Sequence, residues 1–366
     1  MNITLDLPRF WAENQASTGH PFRTDKPRAP ISLPVDDHWL LEEMEVPSTV
    51  RYYREAAYRA AVNRQCNDRC AAAIGRRPFA ENVAPPGILR IEEVLGAKTE
   101  LTEGGTPWLE PAVHTIEELR AHLDRLAALD DRQLRARMFR NGGLIERAQP
   151  NPDGSRPVQR GFSRGPATIA TSVLGTTELM FWLLDYPAEV GRFFELLADI
   201  LIRYQQIVAA ERGVCFRGYQ VNDDNCALYS PALYEQFCLP AMRRIFDTFC
   251  PAPTDYRYQH SDSEMTHLLP ILARLNFHGV NLGPTLPVEV IRAHLPRTEI
   301  HGQVAPFTLR NRPVAEIVAE VRRDFAGAGG DGGLLVTTAG SIAAGTKFEA
   351  IRAFMWAVQE YCRYDR

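Results

Sequence analysis

Two adjacent carboxylates, Asp223-Asp224, and an imidazole two residues ahead of a carboxylate, His260-x-Asp262, are the groups in this sequence best suited to chemistry. Like charges this close cannot both stay ionised without a cation nearby, so one of Asp223 and Asp224 is expected to be raised in pKa or neutralised. Arg217 and Arg257, both inside strand-like runs, are the candidate neutralisers. A histidine beside an aspartate suits either metal ligation or carboxylate-oriented general acid/base work. Asp262 has a plainer alternative, capping a following helix, with Ser261 and Ser263 as rival caps. His301 and Gln303 alternate along a strand and share a face, and Asn281 lies similarly in its own strand. Together with Tyr219, Arg217, Arg257 and Ser341 they form the candidate substrate contacts. Ser341 follows Ala339-Gly340 in a turn without the strand-to-helix elbow of a hydrolase nucleophile, so a serine hydrolase is not expected.

The elements that must position these groups recur. Cys215–Asn222 reads as a strand and Ser230–Phe249 as a helix; Thr254–Gln259 is followed by Glu264–Leu275, and Gly279–Leu282 by Pro287–Leu295. Glu299–Gln303 then leads to Val314–Ala326, and Gly333–Thr338 to Phe348–Tyr364. Five consecutive βα units imply a parallel sheet with right-handed crossovers, and an eight-fold (β/α)8 TIM barrel is the commonest closed solution. Its active site is built at the C-terminal ends of the strands. Asp223, Asp224, His260, Asp262, Asn281, His301 and Gln303 are all expected there.

Upstream, Pro30–Pro34 reads as a short first strand limited by its prolines. Val50–Ala73 reads as a helix stopped by Gly75. Residues 78–113 read as an insertion opened by Pro85-Pro86-Gly87, in which Lys98–Leu101 and Trp108–Glu110 flank a Gly-Gly turn as a hairpin. Thr115–Leu129 has capping-box spacing, with Thr115 as N-cap and Glu118 three residues on. Asn141–Pro157 is turn-rich and expected to be a mobile loop or an internal boundary. Gly165–Thr171 reads as a strand, and Thr176–Tyr186 and Pro187–Arg212 as successive helices. The run Gly327–Gly333 precedes a strand, so it reads as a tight turn and not as a phosphate cradle. The whole, residues 1–366, is expected to be one domain: an N-terminal segment (1–75), an insertion with a mobile loop (78–157) and the main repeats (158–366).

With 366 residues, 45% of them hydrophobic, the chain can bury a substantial core. A net charge of −4, from 41 basic and 45 acidic residues spread along the chain, builds no basic face for nucleic acid. Seven irregularly spaced cysteines read as reduced thiols; Cys66 and Cys70 lack a second pair to complete a zinc site. The N-terminus is too polar for a signal peptide and no run reaches membrane-spanning length. A cytoplasmic protein with no membrane partner is expected.

Several segments then fall into a known order: GPATIAT (165–171), the Asp223-Asp224 loop followed by Ser230-Pro231-x-x-Tyr234 and Phe237-x-Leu239-Pro240, GVNLGP (279–284), HGQVA (301–305) and GGLLVTTAGSIAAG (332–345). In this order they resemble the uroporphyrinogen decarboxylase superfamily, which also holds the corrinoid-linked methyltransferases. The resemblance implies a (β/α)8 barrel. It also exposes departures. Where the decarboxylases carry an arginine-rich loop, this chain reads Pro34-Val35-Asp36-Asp37-His38-Trp39, and Thr171-Ser172 lie where their tyrosine stands. Where the zinc methyltransferases carry His-x-Cys and a second cysteine, it has His260-x-Asp262 and Ser341. Harder oxygen ligands in place of thiolates point away from zinc toward another divalent metal, or none.

The resemblance therefore implies methyltransferase-like one-carbon transfer or demethylation of a small molecule. His260 and Asp262 would be metal ligands or an acid/base pair, and a corrinoid protein and a homodimer the partners. The rival expectations are a metal-independent decarboxylase of a carboxylated, tetrapyrrole-like substrate, using Arg217, Arg257 and Arg164, and a non-catalytic corrinoid or tetrapyrrole binder.

Overall fold

Residues 98–110 turn back on themselves as expected. In the computed structural model, which describes residues 3–82 and 87–364, β1 (Lys98–Glu100) pairs antiparallel with β2 (Trp108–Glu110). Lys98 stands opposite Glu110, an attractive cross-strand pair, and Gly104 takes the left-handed turn conformation at φ +75°. Pro85 and Pro86, expected to open this insertion, lie outside the described residues. Two units emerge, Ala84–His260 and Met1–Val83 with Ser261–Arg366, each with its own run of parallel strands.

In Ala84–His260, β3 (Val158–Arg164), β4 (Cys215–Asn222) and β5 (Tyr256–His260) are parallel, with Arg164 opposite Asn222 and Asn222 opposite His260. The 26-residue helix Pro187–Arg212, ended by Gly213 at φ +69°, joins this sheet's flank through Phe193, Phe194, Leu197 and Leu201. Thr115 caps the helix Ile116–Ala127 through Glu118 N at 3.2 Å, whereas the Glu118 carboxylate reaches back one residue further than expected, to His114 N at 2.7 Å.

The strand expected at Gly165–Thr171 is instead the helix Pro166–Leu174, and the strand lies just before it. Pro166 occupies the first helical position, where its fixed φ is pre-organised and its missing N–H costs nothing. Eight of the helix's nine residues are buried, so no polar face survives to mark its period. β3, by contrast, exposes its apolar Val158 and Phe162 and buries Gly161 and Ser163, so it carries no apolar period-2 pattern that would mark it as a strand.

In the other unit, β6 (Gly279–Asn281), β7 (Glu299–Val304) and β8 (Leu334–Thr338) are parallel. The first strand expected at Pro30–Pro34 is a single parallel bridge, Ile31 to Val336, with Ser32 N donating to Val336 O and Val336 N to Pro30 O. Proline on either side prevents more. The helix expected at Glu264–Leu275 breaks into short turns over Thr266–Leu275, since Pro270 has no N–H to continue a regular ladder. Gly332 and Gly333, at φ +77° and +73°, form the tight turn into β8.

Six parallel strands alternating with helices make this an α/β fold of barrel class. Among the described residues, the eight strands expected are six and the Ile31 bridge. No single helix is long and apolar enough to cross a membrane.

Candidate functional site

The register of β3, β4 and β5 brings Arg164, Asp223-Asp224 and His260 to one end of their sheet. Asp223 N donates to His260 O at 2.9 Å. The Asp223 side chain is fully buried and accepts from Thr168 N at 2.8 Å, in the first turn of the helix Pro166–Leu174. Its second oxygen has no hydrogen-bond partner among the described residues. Burial pushes the Asp223 carboxyl up to about 7; the Thr168 contacts oppose the rise and the Asp224 charge adds to it. The raised member of the carboxylate pair is thus Asp223, and its chief cause is desolvation, ahead of its neighbour's charge. The packing leaves no room at the helix start: a Cβ on Gly165 would sit 2.2–2.5 Å from the Asp223 carboxyl.

Asp224 and His260 are half-buried and each offers a ligand atom, within 4.8 Å of one another. Asp262 follows His260 by two residues and is exposed. In the unit that holds it, Gly340 presses on its carboxylate: a Cβ there would lie 2.3 Å from Asp262 Oδ1, and the φ of +93° favours glycine. Two backbone donors at the start of the following segment go to other side chains, Ser263 N to Ser261 Oγ at 3.3 Å and Thr266 N to Glu264 Oε1 at 2.9 Å.

The two expected neutralisers are not brought to Asp223. Arg217 faces Asp255 at 3.7 Å, and Arg257 meets Asp247 at 3.2 Å and Cys250 O at 3.1 Å. Arg257 lies three residues before His260 on β5, about 10 Å down the strand. Tyr219 is likewise turned to the helical side, stacked on Phe249 with ring centroids 5.0 Å apart. Gly218, at φ +118°, and the register shift opposite Gln159 and Gly161 mark the bulge that alters the alternation there.

Other expected substrate contacts serve as tethers. Asn281 Nδ2 donates to His301 O and, at 3.1 Å, to Thr338 O, while its Oδ1 accepts from Gly340 N at 3.0 Å, so one amide joins the ends of β6, β7 and β8. Gln303 is buried and donates to Gly283 O at 2.8 Å and Leu286 O at 2.9 Å. His301 Nε2 lies 3.1 Å from Glu299 Oε2. Ser341 is exposed directly after Gly340.

Sequence reasoning passed over a cleft of about 180 Å³ at the end of β3, walled by the hairpin at Trp108 and by Arg164, Thr171, Ser172, Thr176 and Asn225. Arg164 had been noted only as a rival cation. The signal that could have found the cleft was Asn225, which completes the Asp223-Asp224-Asn225 run. Its backbone N–H donates to Thr168 Oγ1 at 3.2 Å and its amide to Thr171 Oγ1.

Two solved structures align with the chain. A methyltransferase from Methanosarcina mazei aligns at a TM-score of 0.59 with 18% identity, over 91% of this chain and 94% of that one. A B12-independent methionine synthase from Shewanella sp. W3-18-1 aligns at 0.42 with 11% identity, over 82% and 85%. At 18% identity the first likeness is one of fold alone. No curated protein matches the sequence. The uroporphyrinogen decarboxylase (URO-D) family profile matches residues 71–361, most of the chain, and the chain belongs to that family.

Proposed function

We propose that the chain catalyses a methyltransferase-like one-carbon transfer or demethylation of a small molecule at the ends of β4 and β5. The observation that carries this reading is the approach of Asp224 and His260 within 4.8 Å, with Asp262 tethered two residues on. An imidazole nitrogen with carboxylate oxygens is a donor set for a divalent cation of intermediate or hard character. Asp224 and His260 would hold it, and when bound it would supply a Lewis acid that lowers the pKa of an acceptor oxygen or thiol. Of the seven cysteines, six are buried and Cys215 begins β4 at the end opposite His260, which supports an oxygen and nitrogen set over a thiolate one. Without a cation, His260 would instead be the acid/base that moves the proton of the acceptor. Buried Asp223 fixes the loop that carries Asp224, through the helix start at Thr168.

Charge favours this reading over decarboxylation. A polycarboxylate substrate needs several cations, and Arg217 and Arg257 are engaged with Asp255 and Asp247. A corrinoid protein as methyl carrier, a homodimeric assembly and a cytoplasmic setting belong to the same reading.

Metal analysis of purified wild type and His260→Ala tests it. About one divalent ion per wild-type chain is expected, with a loss of affinity in the variant of at least the roughly hundredfold that removing an outer-shell partner can cost, because His260 is a direct ligand. A wild-type protein that takes up no ion on reloading overturns the metal assignment. Conversion of uroporphyrinogen to coproporphyrinogen would replace the reading with the decarboxylase one.

A further inference from the structure

We propose that the cleft beneath the β1–β2 hairpin is a substrate pocket for a small amphipathic molecule carrying one carboxylate on an apolar body. This rests on the reading above and names the substrate class for that site. The cleft holds about 180 Å³, which is below the range of drug-sized pockets and leaves room only for a small ligand. Among the described residues, Arg164 is the one charged residue on its wall. The guanidinium is held from two sides, by Glu92 Oε1 at 3.7 Å, on a side chain only 4% exposed, and by Ser172 Oγ at 3.3 Å. It is still 43% exposed, and a guanidinium has five donors in a planar fork that matches a carboxylate.

The hydroxyls beside it have already spent their protons. Thr171 and Ser172 both donate to Thr168 O, at 3.0 and 2.8 Å, and accept from Asn225 and Arg164 respectively. The donors left to grip an anion are the Arg164 fork, the second amide hydrogen of Asn225, the Thr176 hydroxyl and the Trp108 indole N–H, of which the fork alone is charged. Trp108 itself is 69% exposed although large and apolar, between Pro107 and Leu109 on the same wall. An indole left this open offers a face to an apolar or aromatic body. A single cation limits the ligand to a single anionic group, because a second carboxylate would enter the cleft unpaired. Asn225, on the cleft wall, directly follows Asp224, so the cleft borders the loop that carries one of the groups proposed for the chemistry.

Calorimetric titration of the full chain with 3-phenylpropionate and with its neutral amide, 3-phenylpropionamide, tests the assignment. The acid is expected to bind about tenfold more tightly, Arg164→Met to abolish that preference, and Trp108→Ala to weaken both ligands alike. Arg164→Met leaves Glu92 without its partner, so its fold is checked by circular dichroism. If it does not fold, Arg164→Lys carries the test, since it keeps the charge without the fork and should cut the preference at least about threefold. Equal affinity for acid and amide in the wild type, no binding of the acid, or an undiminished preference in the folded variant overturns the proposal. These readouts need neither metal nor methyl transfer, so failure here leaves the Asp224–His260 reading standing. Failure of metal uptake, in turn, leaves the acid preference intact.

Discussion

Two carboxylates at the strand ends owe their placement to glycines. Gly165 yields to Asp223 and Gly340 to Asp262, and in both the missing Cβ is what lets the carboxylate sit where it does. At Gly340 the positive φ adds a second demand, so Gly340→Ala should destabilise the protein by about 1–3 kcal/mol, read from urea unfolding. A different carboxylate gives a pH signature. Asp324, wholly buried, accepts from Gln303 N at 2.9 Å and pairs with Arg323 at 2.6 Å. Burial raises it from 3.8 to about 6, against the pull of Arg323. A carboxyl raised on folding keeps its proton longer in the folded state. Its contribution is therefore complete below about pH 4 and is lost as pH climbs to about 6, at no more than about 1.4 kcal/mol per unit. In Asp324→Asn that slope should vanish. The wild-type-minus-variant stability, from denaturant midpoints at closely spaced pH, should fall from pH 4 to 6 and level off above; a flat difference would refute the buried-acid account. Residue types alone pointed correctly to Asp223-Asp224 and His260 at strand ends. They did not reveal that Asn281 and Gln303 are consumed in holding backbone carbonyls, because an amide's partners are set by tertiary approach.

At the scale of elements, legibility followed burial. β4 runs over Cys215–Asn222 as read, and the long helix over Pro187–Arg212, because a one-sided apolar stripe or a β-rich run bounded by glycine carries its own period. The helix Pro166–Leu174 was misread because it is buried almost all round, which removes the contrast between faces that distinguishes period 3.6 from period 2. Its start is also held non-locally, by the Asp223 carboxylate taking Thr168 N, a capping interaction 55 residues away in sequence that no local motif announces. That dependence is testable with Gly165→Ala. The added methyl must push aside the buried carboxyl, so the helix loses its cap and the protein about 1–3 kcal/mol. Circular dichroism in urea should show the shift in midpoint, and retention of wild-type stability would mean that the carboxyl can move without cost.

At the scale of the whole chain, the first 82 residues are structural partners of the last hundred. Ala29 N donates to Cys362 O at 2.8 Å, Trp39 Nε1 to Thr346 O at 2.9 Å across 307 residues of sequence, and Arg352 to Ala73 O at 2.7 Å. Arg28 is fully buried on Phe10 O and Ala29 O, its pKa lowered to about 10 by that burial. The N-terminal segment, which sequence reasoning set apart as an elaboration, is therefore part of the unit that carries β6, β7 and β8. Contacts of this sequence separation form late, because the intervening loop must first be closed. Trp39 is their anchor, wholly buried, edge-on to Phe348 at 5.4 Å and stacked on Phe79 at 6.5 Å. Trp39→Ala should cost about 3–5 kcal/mol. The loss should appear in hydrogen exchange as a joint drop in protection over residues 3–82 and 261–364. A drop confined to the N-terminal segment would show that the C-terminal strands hold together without it, and that the chain's two ends are packed but not interdependent.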